Sequence, residues 1–223
     1  IYYVYKNNLA SSITKSTFSE EDKKSIVKWL NLSLIKGIFG GQSDSVLKRI
    51  RDVIKEEPTR NFPFERIVKT FESDPAKNYS LDDAFIDSIL LEQYGSPTAT
   101  LVIQLLYPDK VLRYGKSVVQ DHMHPRVTFE NQLRLSALDL TPEQSQFFAD
   151  PQNYNSVLNL QLLESSENAS KNDASLADWV QSRGLRNYEL LVEPDVSLDI
   201  KDFEAFIESR KRVLKDKLKS LFE

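Results

Sequence analysis

The sequence predicts a mainly α fold of the α+β class: an N-terminal helical region, a small domain built on two strands and a helix, and a long C-terminal helix. Three observations predict it. Apolar residues recur at helical spacing through the first hundred residues and again from Ile200 to Phe222. Only two stretches, Ser117–Gln120 and Asn155–Leu163, read as strands. With 223 residues, 40% of them hydrophobic and 28% charged, the chain can bury a core in one large domain or two small ones. The change of pattern places a boundary at Pro108, with residues 1–108 as the helical domain and 109–223 as the strand-containing one.

Ser19 precedes Glu20-Glu21-Asp22 and reads as an N-cap with acidic residues in the first turn, leading a helix with Ile26, Trp29, Leu30 and Leu34 on one side. Gly40-Gly41 breaks it, and Ser43 is placed to cap the next, whose stripe is Val46, Leu47, Ile50, Val53 and Ile54. Phe64–Glu72, Leu81–Tyr94 and Ala99–Leu106 read as three more helices, the last stopped by Pro108. Ser117–Gln120 is a strand running into Asp121-His122. Leu133–Leu140 and Pro142–Phe148 read as short helices, the second capped by Thr141, before the strand Asn155–Leu163. Ser165 is placed to cap a helix carrying Asn168 and Lys171, and Leu176–Val180 is helical up to Gly184. The last helix puts Phe203, Phe206, Ile207, Leu214, Leu218 and Leu221 on one side. Its cations, Arg210, Lys211, Arg212, Lys215, Lys217 and Lys219, read as a solvated face.

Composition removes whole classes of function. Cys is absent, which excludes disulfides, thiolate nucleophiles and Cys-type zinc sites. The two histidines both lie in Asp121-His122-Met123-His124-Pro125, so histidine chemistry is confined to that pentapeptide. A net charge of −4 gives no global basic field for nucleic acid, although Lys110, Arg113, Lys116, Arg126 and Arg134 make the surroundings of the histidines locally positive. No apolar run approaches the roughly 20 residues of a membrane helix, and no signal peptide opens the chain, so a cytoplasmic protein with no membrane partner is expected. The chain opens Ile-Tyr-Tyr-Val-Tyr without an initiator Met, which suggests a fragment with a preceding region removed.

One ordered set of residues carries chemistry: Asp121 and His122 at a strand end, Asn159 in the second strand, and Asn168 and Lys171 on the helix after it. Asp121 is a hard anionic oxygen ligand and Asn168 a neutral carbonyl oxygen, so with waters they suit one Mg²⁺ or Mn²⁺ ion. His122 follows Asp121 on extended chain, projects to the opposite side and is free to act as a general base near neutral pH. Met123 is expected to pack in a small core and His124 to be packed or solvated rather than a ligand.

Asp121-His122-Met123-His124-Pro125 resembles the Asp-His-x-x-Pro opening of HNH nucleases, the ββα-metal fold. The segment from Asn159 to Lys171 resembles the closing half of that motif, with the central Asn, the metal-binding Asn and the Lys at the family's mutual spacing of nine and three. Leu176-Ala177-Asp178-Trp179 resembles the tail that follows it. The segment from Leu32 to Asp44, with Gly40-Gly41-Gln42, and Leu105-Leu106-Tyr107-Pro108 are similar to GmrSD-type, modification-dependent (type IV) restriction proteins, over most of the chain. In that family an NTPase-like domain comes first, and its motif is not in this sequence.

The resemblance implies that His122 activates the attacking water, that Asp121 and Asn168 hold the ion, that Asn159 braces the connecting loop and the His122 backbone, and that Lys171 contacts phosphate or stabilises charge. The implied activity is metal-dependent DNA endonuclease action in restriction of foreign, modified DNA, with DNA and the NTPase-like domain of the same protein as partners. The segment Arg126–Leu158 is longer than the compact HNH hairpin and must fold as an insertion. Asn168 stands where His is commoner, which favours Mg²⁺ or Mn²⁺ over zinc. The rival expectations are a catalytically inactive HNH-like module that binds DNA or a partner, and a helical scaffold in which the Asp-His match is accidental.

Overall fold

The computed structural model describes residues 1–9, 17–41 and 43–222, and over these the protein is mainly helical with one two-stranded sheet. Two compact units divide at Leu81 and Asp82. Gln42 of the Gly-Gly-Gln segment lies outside the described residues.

The first unit holds α1 (Tyr2–Lys6), α2 (Glu20–Ile35), α3 (Ser43–Glu56) and α4 (Phe64–Thr70). Ser19 caps α2 as its sequence predicts, its hydroxyl accepting the Asp22 N–H at 3.0 Å. Ser43 is the first helical residue of α3 rather than a cap. The α3 stripe buries Val46, Ile50, Val53 and Ile54 against Phe62, Ile67 and Phe71, while Leu47 remains exposed.

The second unit runs α5 (Asp83–Leu90), α6 (Pro97–Leu106), α7 (Pro108–Tyr114), β1 (Val118–His122), α8 (Arg126–Glu130), α9 (Gln132–Ser136), α10 (Pro142–Ala149), α11 (Pro151–Tyr154), β2 (Leu160–Glu164), α12 (Ser165–Lys171), α13 (Leu176–Arg183) and α14 (Phe203–Phe222). Pro108 does stop α6, but it also opens α7, because a residue without an N–H and with fixed φ suits the first helical position. Helices α5 and α6 pack on the β2 side of this unit, so a compact unit begins well before Pro108.

β1 and β2 pair antiparallel, with Asp121 opposite Gln161 and His122 opposite Leu160. β2 begins at Leu160, five residues later than its sequence predicts, because Val157–Asn159 forms a tight helical turn ahead of it. Asn159 therefore sits beside the strand, not within it. α12 follows β2 without a linker; Glu164, rather than Ser165, caps it, its Oε2 accepting the Ser166 N–H at 2.8 Å.

The segment between the strands folds as an insertion of four short helices, α8 to α11. α10 carries a full capping box between Thr141 and Gln144. The insertion is anchored by rings: Phe129 stacks on Tyr154 (centroids 5.0 Å) and meets Phe203 at the start of α14 (4.6 Å), with Phe148 also against Phe203 (5.3 Å). Such pairs contribute about 0.5–1.5 kcal/mol each beyond their area.

His124 is part of this aromatic cluster, edge-on to Phe206 at 4.6 Å and Phe203 at 5.3 Å. It is buried, its Nε2 has no hydrogen-bond partner, and burial pushes its imidazole down to about 3. The unfolded chain binds a proton there below about pH 6.5 and the folded chain does not, so stability is full above that pH and falls as pH drops. Urea unfolding at about pH 7.5 and about pH 5.5 should show a loss of up to ~1.4 kcal/mol per unit below 6.5 from this residue, which His124→Phe removes. An identical pH dependence in the variant would contradict a neutral buried His124.

One cation of α14 departs from the expected solvated face. Arg210 is fully buried, donating through Nε to the Leu158 carbonyl (3.0 Å), through Nη2 to the Leu160 carbonyl (2.6 Å) and through Nη1 to Tyr107 Oη (3.1 Å) and the Leu190 carbonyl. It therefore clamps the turn and the first residue of β2 onto α14. Lys215 and Lys219 stay at the surface and pair with Asp83 and Asp87 of α5.

Candidate active site

The C-terminal end of β1 opens on a cleft of about 390 Å³, bordered by Asp121, His122, Arg126, Asn168 and Asp173 among others. Alternation along an extended strand turns Asp121 and His122 apart. Both nevertheless border the cleft, because it lies at the strand end, where residues of both faces reach it. Asn168 and Lys171 share a face of α12, three residues apart, and that helix packs on both strands. Four of the five residues singled out by sequence thus meet at or directly behind one cleft, and Asn159 lies behind the loop that follows β1.

Asp121 is held from two sides. Its cross-strand neighbour Gln161 donates from Nε2 to Oδ2 at 2.9 Å, a contact that the register makes direct. Lys171 Nζ lies 3.0 Å from Oδ2 and 3.3 Å from Oδ1. Burial raises the carboxyl above its ordinary value, against the lowering by Lys171 and Gln161.

Of the two roles expected for Lys171, phosphate contact or charge stabilisation, its burial speaks against the first. Its side chain has no exposed surface, and its ammonium also donates to the His122 carbonyl at 2.7 Å. A phosphate has no access to it in this geometry. Its role is to neutralise Asp121 and pin the end of β1, a positioning role.

Asn159 also differs in detail. Its Oδ1 accepts the His124 N–H (3.0 Å), its Nδ2 donates to the carbonyls of His124 (3.0 Å) and Tyr154 (2.8 Å), and its own carbonyl accepts the Met123 N–H (2.8 Å). The brace falls on residues 123 and 124, just past His122, and ties them to the end of the insertion.

His122 is half-buried, with Nε2 2.9 Å from Asn155 Oδ1 and its ring 4.8 Å from that of Tyr94. A chain of amides fixes its tautomer. The Leu91 carbonyl can only accept, so Gln93 presents Nε2 to it (2.9 Å) and turns Oε1 to Asn155 Nδ2 (3.1 Å). Asn155 therefore turns Oδ1 to His122, so Nε2 carries the proton and Nδ1 keeps the lone pair. Backbone pairing of 92–94 with 155–157 holds the two amides in place. Burial first, and the nearby Arg126 and Lys171 charges with it, lower the imidazole from its ordinary value, so it is neutral at pH 7.

Gln93, Tyr94, Asn155 and Gln161 escape sequence reasoning. The first three carry no motif and lie about 30 residues from His122 on either side. Gln161 had a usable signal, since an antiparallel pairing of the two predicted strands brings some residue of the second opposite Asp121.

Of the residues singled out by sequence, the Asp121 carboxylate and the Asn168 amide are the hard oxygen donors at the cleft; Asp173, Gln120 and Asn172 border it as well. Among the described residues no three of His, Cys, Asp and Glu come together as a metal-holding group. The same residues include no helix long and apolar enough to cross a membrane. No protein-family profile matches the chain, and no curated protein matches it.

Proposed function

We propose that this protein is a metal-dependent endonuclease that hydrolyses DNA phosphodiesters, with His122 as general base. The observation that carries the reading is the meeting of a neutral, tautomer-fixed imidazole with Asp121 and Asn168 at one open cleft, on two antiparallel strands followed directly by a helix. That arrangement agrees with the ββα-metal resemblance of the sequence, and DNA restriction is the biological setting that the resemblance suggests.

In this reading Nδ1 of His122 accepts the proton of the attacking water, and the Asn155–Gln93 chain holds the ring so that Nδ1 stays free. The two hard oxygens fit a largely hydrated Mg²⁺ or Mn²⁺, since Lys171 and Gln161 leave lone pairs on the Asp121 carboxylate. Asp121 and Asn168 would hold such an ion, which would supply charge stabilisation at the phosphoryl and leaving oxygens, worth several kcal/mol. Gln161 and Lys171 fix the carboxylate's direction, and Asn159 fixes the loop that carries the chain out of the site.

The test is nicking of supercoiled plasmid by this chain with Mg²⁺, Mn²⁺ or EDTA. Cleavage that needs the divalent ion supports the reading, and cleavage undiminished by EDTA rejects it. Gln161→Leu, which keeps the volume and removes the donor, should raise the Mg²⁺ concentration for half-maximal rate by roughly 10–100-fold; an unchanged requirement would exclude a supporting role for Gln161 at the ion. A catalytically inactive module is the second reading, favoured by the salt bridge through which Lys171 already neutralises Asp121. Calorimetric titration with Mn²⁺ that gives no heat, alongside absent cleavage, would select it.

A further inference from the structure

We propose that Arg126 is the group that grips the DNA phosphate in this cleft, and that Glu130 positions it for that contact. The inference rests on the nuclease reading above and assigns the phosphate contact that the burial of Lys171 leaves without an owner. Of the residues bordering the cleft, Arg126 is the one with a cationic side chain. It sits at the mouth, four residues after His122 and exposed, and its charge acts on the His122 imidazole.

The guanidinium is already oriented. Its Nε donates to Glu130 Oε1 at 2.6 Å, one turn along α8. That bond uses Nε and leaves the two Nη groups as a fork, the geometry that meets two phosphate oxygens at once. Both partners are about half exposed, so the pair is screened by solvent and holds the side chain without sequestering it. The neighbouring cation does not line the cleft: Arg134 of α9 pairs at 2.8 Å with Asp173, which does. A phosphate in the cleft beside His122 therefore has Arg126 as the cation of its lining.

The experiment measures duplex DNA binding by fluorescence anisotropy with Mg²⁺, in a His122→Ala background so that DNA is not consumed, across a salt series. Arg126→Ala should weaken binding roughly tenfold and reduce the slope of log affinity against log salt by about 0.9, the loss of one phosphate contact. Arg126→Lys should restore the slope but not the full affinity, because a point charge cannot make the fork. Arg134→Ala, whose side chain does not line the cleft, should change the slope little. Affinity and slope unchanged in Arg126→Ala, while the parent nicks plasmid, would overturn the role of Arg126 and leave the nuclease reading standing. Equal losses in Arg126→Ala and Arg134→Ala would also overturn it, as general surface charge. Failure of the parent both to bind and to nick would overturn both.

Discussion

His122→Ala is expected to slow divalent-ion-dependent nicking by roughly 10²–10⁴-fold, the range for loss of a general base, with little change in the thermal midpoint. The imidazole is half-buried and its one hydrogen bond is to Asn155, so its removal costs the fold little. Asn155→Leu should lose part of the same rate, because the ring is then free to turn and to present the wrong nitrogen. The double variant should be no slower than His122→Ala alone, since both changes act through one imidazole. Full activity in His122→Ala would remove the base, and additive losses would detach Asn155 from it. Circular dichroism melts on the same preparations separate lost chemistry from lost fold.

Arg210→Met is expected to destabilise the second unit by about 3–5 kcal/mol. Two effects compete. Removing a buried charge recovers its desolvation cost, which is why apolar replacement of buried ion pairs is often neutral. Here the partners are three backbone carbonyls and the Tyr107 hydroxyl, which stay in place and lose their donors. Each orphaned acceptor costs about 1–3 kcal/mol, so the loss outweighs the gain. The thermal midpoint should fall by roughly 10 °C. A midpoint within about 2 °C of the parent would show that the carbonyls find other donors. The expected loss of activity is secondary: the Leu158 and Leu160 carbonyls flank Asn159, so the brace behind His122 loosens with them.

The sequence was legible where one residue suffices to produce a local structure. Ser19 and Thr141 cap because a hydroxyl at that position meets the free N–H groups of its own helix. The α3 stripe and the apolar side of α14 follow from periodicity alone. The two strands were visible as β-rich runs, but the start of β2 was misplaced: Val157-Leu158 is apolar and β-compatible, and the Arg210 and Asn159 hydrogen bonds turn the segment instead. Arg210 itself was misread because a cation among cations on a long helix looks solvated until the partner carbonyls are known.

By itself the sequence determined the chemical inventory: no thiols, both histidines in one pentapeptide, and an Asp–His pair followed at a distance by Asn and Lys at helical spacing. It also determined the longer helices, because capping and periodicity act within a few residues, whereas the short α1, α7, α8 and α11 were not legible in it. The tertiary structure alone decided what each group does. It buried Lys171 against Asp121, aimed Asn159 at residue 124, and set the His122 tautomer through Gln93 and Asn155. These outcomes depend on the strand register and on an insertion anchored by aromatic rings. Hydrogen-bond direction and charge burial are properties of neighbours brought together from far along the chain, and a linear pattern does not contain them.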